Sequence, residues 1–231
     1  MAVRPERCLV LNGAGAGRGR SNLVALLERG VVVEEQVLAG RGASERFAPA
    51  VQAMLARSGW ERPPEMVVAV VGPGSFTGLR ASLSLAAGLV RGWKCQGVGV
   101  RLGDALRVTM QRDDATILCL ARRGRVFVDP PGGTAHALPV SDIRPGCWSV
   151  VAGDAVHGDD ALPELTGQRG EALLGSETVR LPHASPTAAG IFVAACQASG
   201  HGSVMAHALE PLYVDPPEAK PPAGGLRPAP Q

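Results

Sequence analysis

The chain has 231 residues, 45% hydrophobic and 19% charged, with a formal net charge of +2. That is enough apolar material for one large domain or two small lobes, so disorder of the whole chain is excluded, and the charge is too weak for a strongly nucleic-acid-binding surface. Aromatic residues make up only 3%, so aliphatic side chains and close backbone contacts must fill the core, and base stacking on aromatic rings is poorly supplied.

In chain order, 8–12 (CLVLN), 22–28 (NLVALLE) and 31–40 (VVVEEQVLAG) read as three strands, the first two joined by the glycine-rich stretch GAGAGRGRS. Residues 43–58 place Phe47, Val51, Met54, Leu55 and Ser58 on one side at helical spacing, with Pro49 near the start and Gly59 as the stop. A buried strand ending in GPG follows, then a helix with Leu79, Leu83, Ala86 and Val90 on one stripe, then the strand 95–100. Three strands followed by helix, strand, helix, strand is the order of a ribonuclease H-like lobe, expected over residues 1–101.

The second half is less periodic. It suggests a helix from LGDALRVTMQ, a hairpin turning at Arg123-Gly124, a strand in WSVVAGDAV, and a helix near 185–199 with Ser185 as cap and Pro186 in its first position. This gives a smaller α/β lobe over 102–207. Residues 208–231 read as a proline- and glycine-rich tail, disordered over its last ten or so positions.

Five cysteines form no CxxC pair, which indicates neither a zinc site nor a disulfide framework and fits a reducing cytoplasm. No export signal or membrane span is expected, the aspartates read as caps and turn residues, and no metal site is expected.

Two glycine motifs invite a nucleotide or hydrolase reading. In GAGAGRGRS, Arg18 or Arg20 stands where a dinucleotide fingerprint needs its third glycine, and a phosphate loop would lack its lysine. In GPGSFTG, a nucleophile elbow centred on Ser75 would need glycines where Pro73 and Thr77 stand. Gly72 and Gly74 are expected to allow unusual backbone angles, Pro73 to stiffen the turn, and Ser75 or Thr77 to cap the helix. Arg80, close to the helix start, is disfavoured by the helix dipole unless an anion is near, which hints at an acidic partner; an arginine lying solvated over the turn is the other reading.

The contiguous stretch GPGSFTGLR, 72–80, followed by a helix rich in small residues, resembles the signature of the TsaB (YeaZ) family of bacterial tRNA threonylcarbamoyladenosine biosynthesis subunits. LVLNGAG resembles that family's first strand, RFAPAVQAML its proline-containing first helix, and EPLYVDPPEAK its tail. The resemblance implies two ribonuclease H-like lobes of the actin-like ATPase (ASKHA) superfamily. It also implies a subunit that does not itself transfer the threonylcarbamoyl group but pairs with TsaD, which carries the ATP and metal site, and a complex that recruits TsaE and acts on tRNA.

Asn12 departs from the family, where an aspartate is usual, which bears on any nucleotide or metal binding by this chain. The expected docking residues are Gly72, Pro73, Gly74, Ser75, Phe76 and Thr77 of the turn, then Gly78, Arg80, Ala81, Ser84 and Gly88 along helix 77–92, with Ala48 and Ala56 on helix 43–58. This face would meet TsaD, or a second copy of the chain in its absence. Two alternatives remain at this point: a hydrolase or peptidase using Ser75, and direct tRNA binding through Arg18, Arg20, Arg41, Arg122, Arg123 and Arg125.

Overall fold

The computed structural model describes residues 5–16, 21–40, 42–199 and 208–214. Strands β1 (Arg7–Asn12) and β2 (Leu23–Glu28) are almost wholly apolar and buried, as expected of strands covered on both faces. Strand β3 (Val31–Val37) alternates in burial and lies at the sheet edge. Helix α1 (Ala43–Ser58) runs between Gly42 and Gly59, both in the left-handed region, and buries Phe47, Ala50, Val51 and Met54. Strand β4 (Met66–Gly72), helix α2 (Phe76–Trp93) and strand β5 (Gln96–Arg101) complete a sheet of order β3-β2-β1-β4-β5. Strand β2 runs antiparallel to both β1 and β3, and β1, β4 and β5 are parallel. This is the ribonuclease H-like lobe read from the sequence.

Helix α3 (Leu102–Met110) leads to β6 (Thr116–Leu120), β7 (Arg125–Asp129), β8 (His136–Pro139), β9 (Val150–Ala152), helix α4 (Gly167–Leu174), β10 (Val179–Arg180) and helix α5 (Ala188–Ser199). The second sheet, ordered β8-β7-β6-β9-β10, repeats the first: a three-stranded antiparallel meander extended from its first strand by two parallel strands. The β6–β7 hairpin turns at Arg123 and Gly124, both with positive φ, as expected.

Other expectations for this half are corrected. The strand in WSVVAGDAV shortens to three residues, because Gly153 adopts φ 113° and turns the chain away. The last helix begins at Ala188, and its cap is Thr187, whose Oγ1 accepts from the amide of Gly190 at 3.0 Å; Ser185 and Pro186 precede it. The sequence reading also missed β8, β10 and α4.

Helices α3 and α5 share a core with both sheets. The first sheet packs with Ala105 and Leu106 of α3 and with Ile191, Phe192 and Ala195 of α5, and the same cluster takes in Ile117, Cys119, Val150 and Ala152 from one face of the second sheet. The opposite face of that sheet, including Leu118, Val126 and Val128, packs against Leu165 and Leu174. Gly190 lets α5 cross α3 closely, since a Cβ there would overlap the Thr109 hydroxyl. A buried charge network ties the halves together: Asp129 on β7 accepts from Arg101 on β5 (2.5 Å) and from Arg107 on α3 (3.4 Å), and Arg107 also donates to the carbonyls of Ala115 and Asp129. Burial outweighs the two arginines and raises the Asp129 pKa.

Residues 215–231, most of the expected tail, lie outside the described residues, as do Arg18, Arg20 and Arg41. Residues 208–214 are packed: Leu209 and Leu212 join the core of the first sheet.

Candidate functional site

The GPGSFTG turn leaves β4 with Gly72 at φ 123° and a cis bond to Pro73. Gly74, expected to need an unusual φ, has none; it is glycine because a Cβ would overlap the carbonyl of Ala14. Gly78 and Gly13 stand in the same relation, since a Cβ on either would overlap the other's carbonyl oxygen. The two glycine motifs are therefore packed on each other. Ser75 completes the junction: its amide donates to Ala14 O (2.8 Å), and its Oγ caps α2 by accepting from the Gly78 amide (3.3 Å).

Asn12 holds the facing loop. It is buried, its Nδ2 donates to Ser21 O (2.7 Å) and its Oδ1 accepts from the Ala14 amide (3.0 Å). One side chain thus supplies both a donor and an acceptor, which an ionised aspartate could not do. The amide at this position has a structural role that neither metal nor nucleotide chemistry is needed to explain.

The expected docking residues divide by exposure. Gly72, Pro73 and Gly78 are buried, so they support the turn from within; Gly74, Ser75 and Ala81 are half-buried; Phe76, Thr77, Arg80, Ser84 and Gly88 are exposed. On the neighbouring α1, Ala48 and Ala56 are exposed as well. Space above Gly88 is open, with nothing within 4 Å of a Cβ built there. Ala81 instead packs partly against the core.

At the start of α2, Arg80 is neither paired with a carboxylate among the described residues nor loose. Its guanidinium lies 4.0 Å from the Phe76 ring centroid, and its Nε donates to the Tyr213 hydroxyl at 2.7 Å. The Phe76 and Tyr213 rings lie 5.2 Å apart. Sequence reasoning singled out Phe76 and Arg80 but missed Tyr213, whose only signal was its place in the tail that resembles the family.

Among the described residues, no histidine hydrogen-bonds to Ser75, and no group of three His, Cys, Asp or Glu side chains could hold a metal ion. Asp154 follows Gly153 in the second lobe; burial pushes its pKa up to about 7, although its Oδ1 accepts from the Leu120 amide at 2.8 Å. Burial likewise raises the Cys8 and Cys119 thiols, making both poor nucleophiles at neutral pH. Arg122 and Arg123 are exposed on the β6–β7 hairpin, with Arg125 half-buried beside them. No helix among the described residues is long and apolar enough to cross a membrane.

Comparison with known proteins gives a fold and a family-model match over part of the chain. Residues 28–128 match the family model described as TsaD, tRNA N6-adenosine threonylcarbamoyltransferase. No curated protein matches the chain. Among solved structures, one described as an uncharacterized protein with similarity to peptidase YEAZ from Pseudomonas aeruginosa aligns with TM-score 0.67 at 18% identity, covering 91% of this chain and 100% of that one. YeaZ from Pseudomonas aeruginosa aligns with TM-score 0.64 at 19% identity, covering 90% of this chain and 99% of its own. The chain therefore has the YeaZ fold, as the resemblance of GPGSFTGLR implied.

Proposed function

We propose that this chain, with its YeaZ fold and its match to the TsaD family model over residues 28–128, is a TsaB-type subunit in the formation of N6-threonylcarbamoyladenosine on tRNA. In this reading it is a non-catalytic scaffold of the cytoplasm that pairs with TsaD through the exposed side of α1 and α2. ATP and metal belong to TsaD, TsaE joins the pair, and tRNA is met through the complex; in the absence of TsaD the same side pairs two copies of the chain.

One observation carries the reading. The motif that looks most like a catalytic loop is occupied by the chain's own backbone: Gly74 and Gly78 accommodate Ala14 and Gly13, and Ser75 serves as a helix cap. Beside it, α1 and α2 leave Ala48, Ala56, Ser84 and Gly88 exposed, small enough for partner helices to approach closely.

The test is co-purification with TsaD and reconstitution of tRNA modification. The wild-type chain is expected to bind TsaD and to be required for modification; a chain that leaves TsaD unbound and its activity unchanged overturns the proposal. Ser75→Ala separates the hydrolase reading: loss of an ester- or peptide-cleaving activity of the purified chain would favour an enzyme. Salt-sensitive tRNA binding by the isolated chain, weakened by substituting Arg122, would favour direct contact through the hairpin.

A further inference from the structure

Residues 208–214 return from the second lobe to the first and lie against the GPGSFTG turn. The Leu212 amide donates to Val71 O at 2.8 Å. A Cβ on Gly72 would stand 3.1 Å from the Leu212 carbonyl oxygen, and one on Gly97 would stand 2.9 Å from the Leu209 side chain, so glycine at both positions makes room for this strap. The strap ends with Tyr213 at Arg80, a residue 133 positions away in the chain.

Arg80 lies in the first turns of α2, where the helix dipole opposes a cation. Two rings and a phenol hydroxyl hold it there. Stacking on Phe76 and donation of Nε to Tyr213 restrain a side chain that would otherwise lose much rotamer freedom on binding, and among the described residues no hydrogen-bond acceptor meets its two terminal nitrogens. Arg80, Phe76 and Tyr213 are all exposed, on the same side of the molecule as Ser84 and Gly88 of α2.

We infer that Tyr213 is a positioning residue of the docking face, and that with Phe76 it presents Arg80 to a carboxylate on the partner subunit. This rests on the reading that the α1–α2 side meets TsaD. Charge complementarity selects the group: a planar, preorganised guanidinium at a helix start fits a carboxylate side chain of the partner, which it can meet through two parallel hydrogen bonds. The C-terminal strap is then part of the interface, although it follows the second lobe in the chain.

The experiment measures the Kd of the full chain for TsaD at low and moderate salt, for the wild type, Arg80→Ala, Tyr213→Phe and the double variant, with melting temperatures recorded in parallel. Arg80→Ala is expected to weaken binding about tenfold or more and to flatten the salt dependence. Tyr213→Phe, which keeps the ring, should weaken binding about threefold. The double variant should bind like Arg80→Ala alone, because the hydroxyl acts through the arginine. Wild-type binding by Tyr213→Phe, or effects that multiply in the double variant, would overturn the positioning role. An Arg80→Ala variant with the wild-type salt slope would overturn the carboxylate contact while leaving the TsaD reading intact. A wild-type chain that does not bind TsaD overturns both.

Discussion

Gly72 and Gly153 occupy the same place in two sheets of the same topology, each at the end of the fourth strand and each with φ above 110°, yet the chain leaves them in different ways. After Gly72 it makes a short turn, capped by Ser75 and packed on the β1–β2 loop, and launches an 18-residue helix. After Gly153 it makes a loop bearing the half-buried Asp154, a single 3-10 turn and an 8-residue helix. The repeat fixes where the chain turns. Local packing then differs: the first turn meets a facing glycine loop and launches a long helix, whereas the second packs on the Leu118 carbonyl and leads to a short one.

The steepest way to break that contrast is to disturb the contact between the two glycine motifs of the first lobe. Gly78→Ala forces a Cβ into the Gly13 carbonyl and should cost about 3 kcal/mol or more, read as a large drop in melting temperature. Gly88→Ala, in the same helix with open space above it, should instead stabilise the protein by about 1 kcal/mol.

Next in size is Asn12→Asp, which restores the residue usual in the resembling family but sets a carboxylate against the Ser21 carbonyl. A loss of about 2–3 kcal/mol at neutral pH is expected, shrinking in acid, where the protonated acid can donate again. Denaturant unfolding at pH 7 and pH 4 checks both parts.

A pH-dependent effect belongs to the second turn. Asp154 has a pKa raised to about 7, so its charged form is disfavoured in the fold: its contribution is neutral below about pH 4, the ordinary carboxylate range, and becomes destabilising as pH rises from there to about 7. Asp154→Asn, which keeps an acceptor for the Leu120 amide, should flatten stability over that window. Carbon-detected NMR should find the Asp154 carboxyl titrating near pH 7.

The first lobe was largely legible in the sequence because its elements are long and strongly patterned. Helix α1 begins and ends where the apolar spacing and Gly59 put it, and the strand-helix alternation specified the sheet. The second lobe was less so: strands of two to four residues carry no readable period, and Thr187 lies close enough to Ser185 for either to look like the cap. Within the site, the turn and Arg80 were visible as a contiguous motif. The reason for Gly74 and the contact between Arg80 and Tyr213 were not, because each depends on segments brought together only by the fold.

The central claim is that the platform launched by the first turn serves a partner, and Gly88→Trp tests it most directly. The space above Gly88 admits the side chain without disturbing the core. The account predicts a protein that melts no lower than the wild type yet no longer co-purifies with TsaD and no longer supports tRNA modification. A folded Gly88→Trp chain that still binds TsaD with wild-type affinity would contradict it.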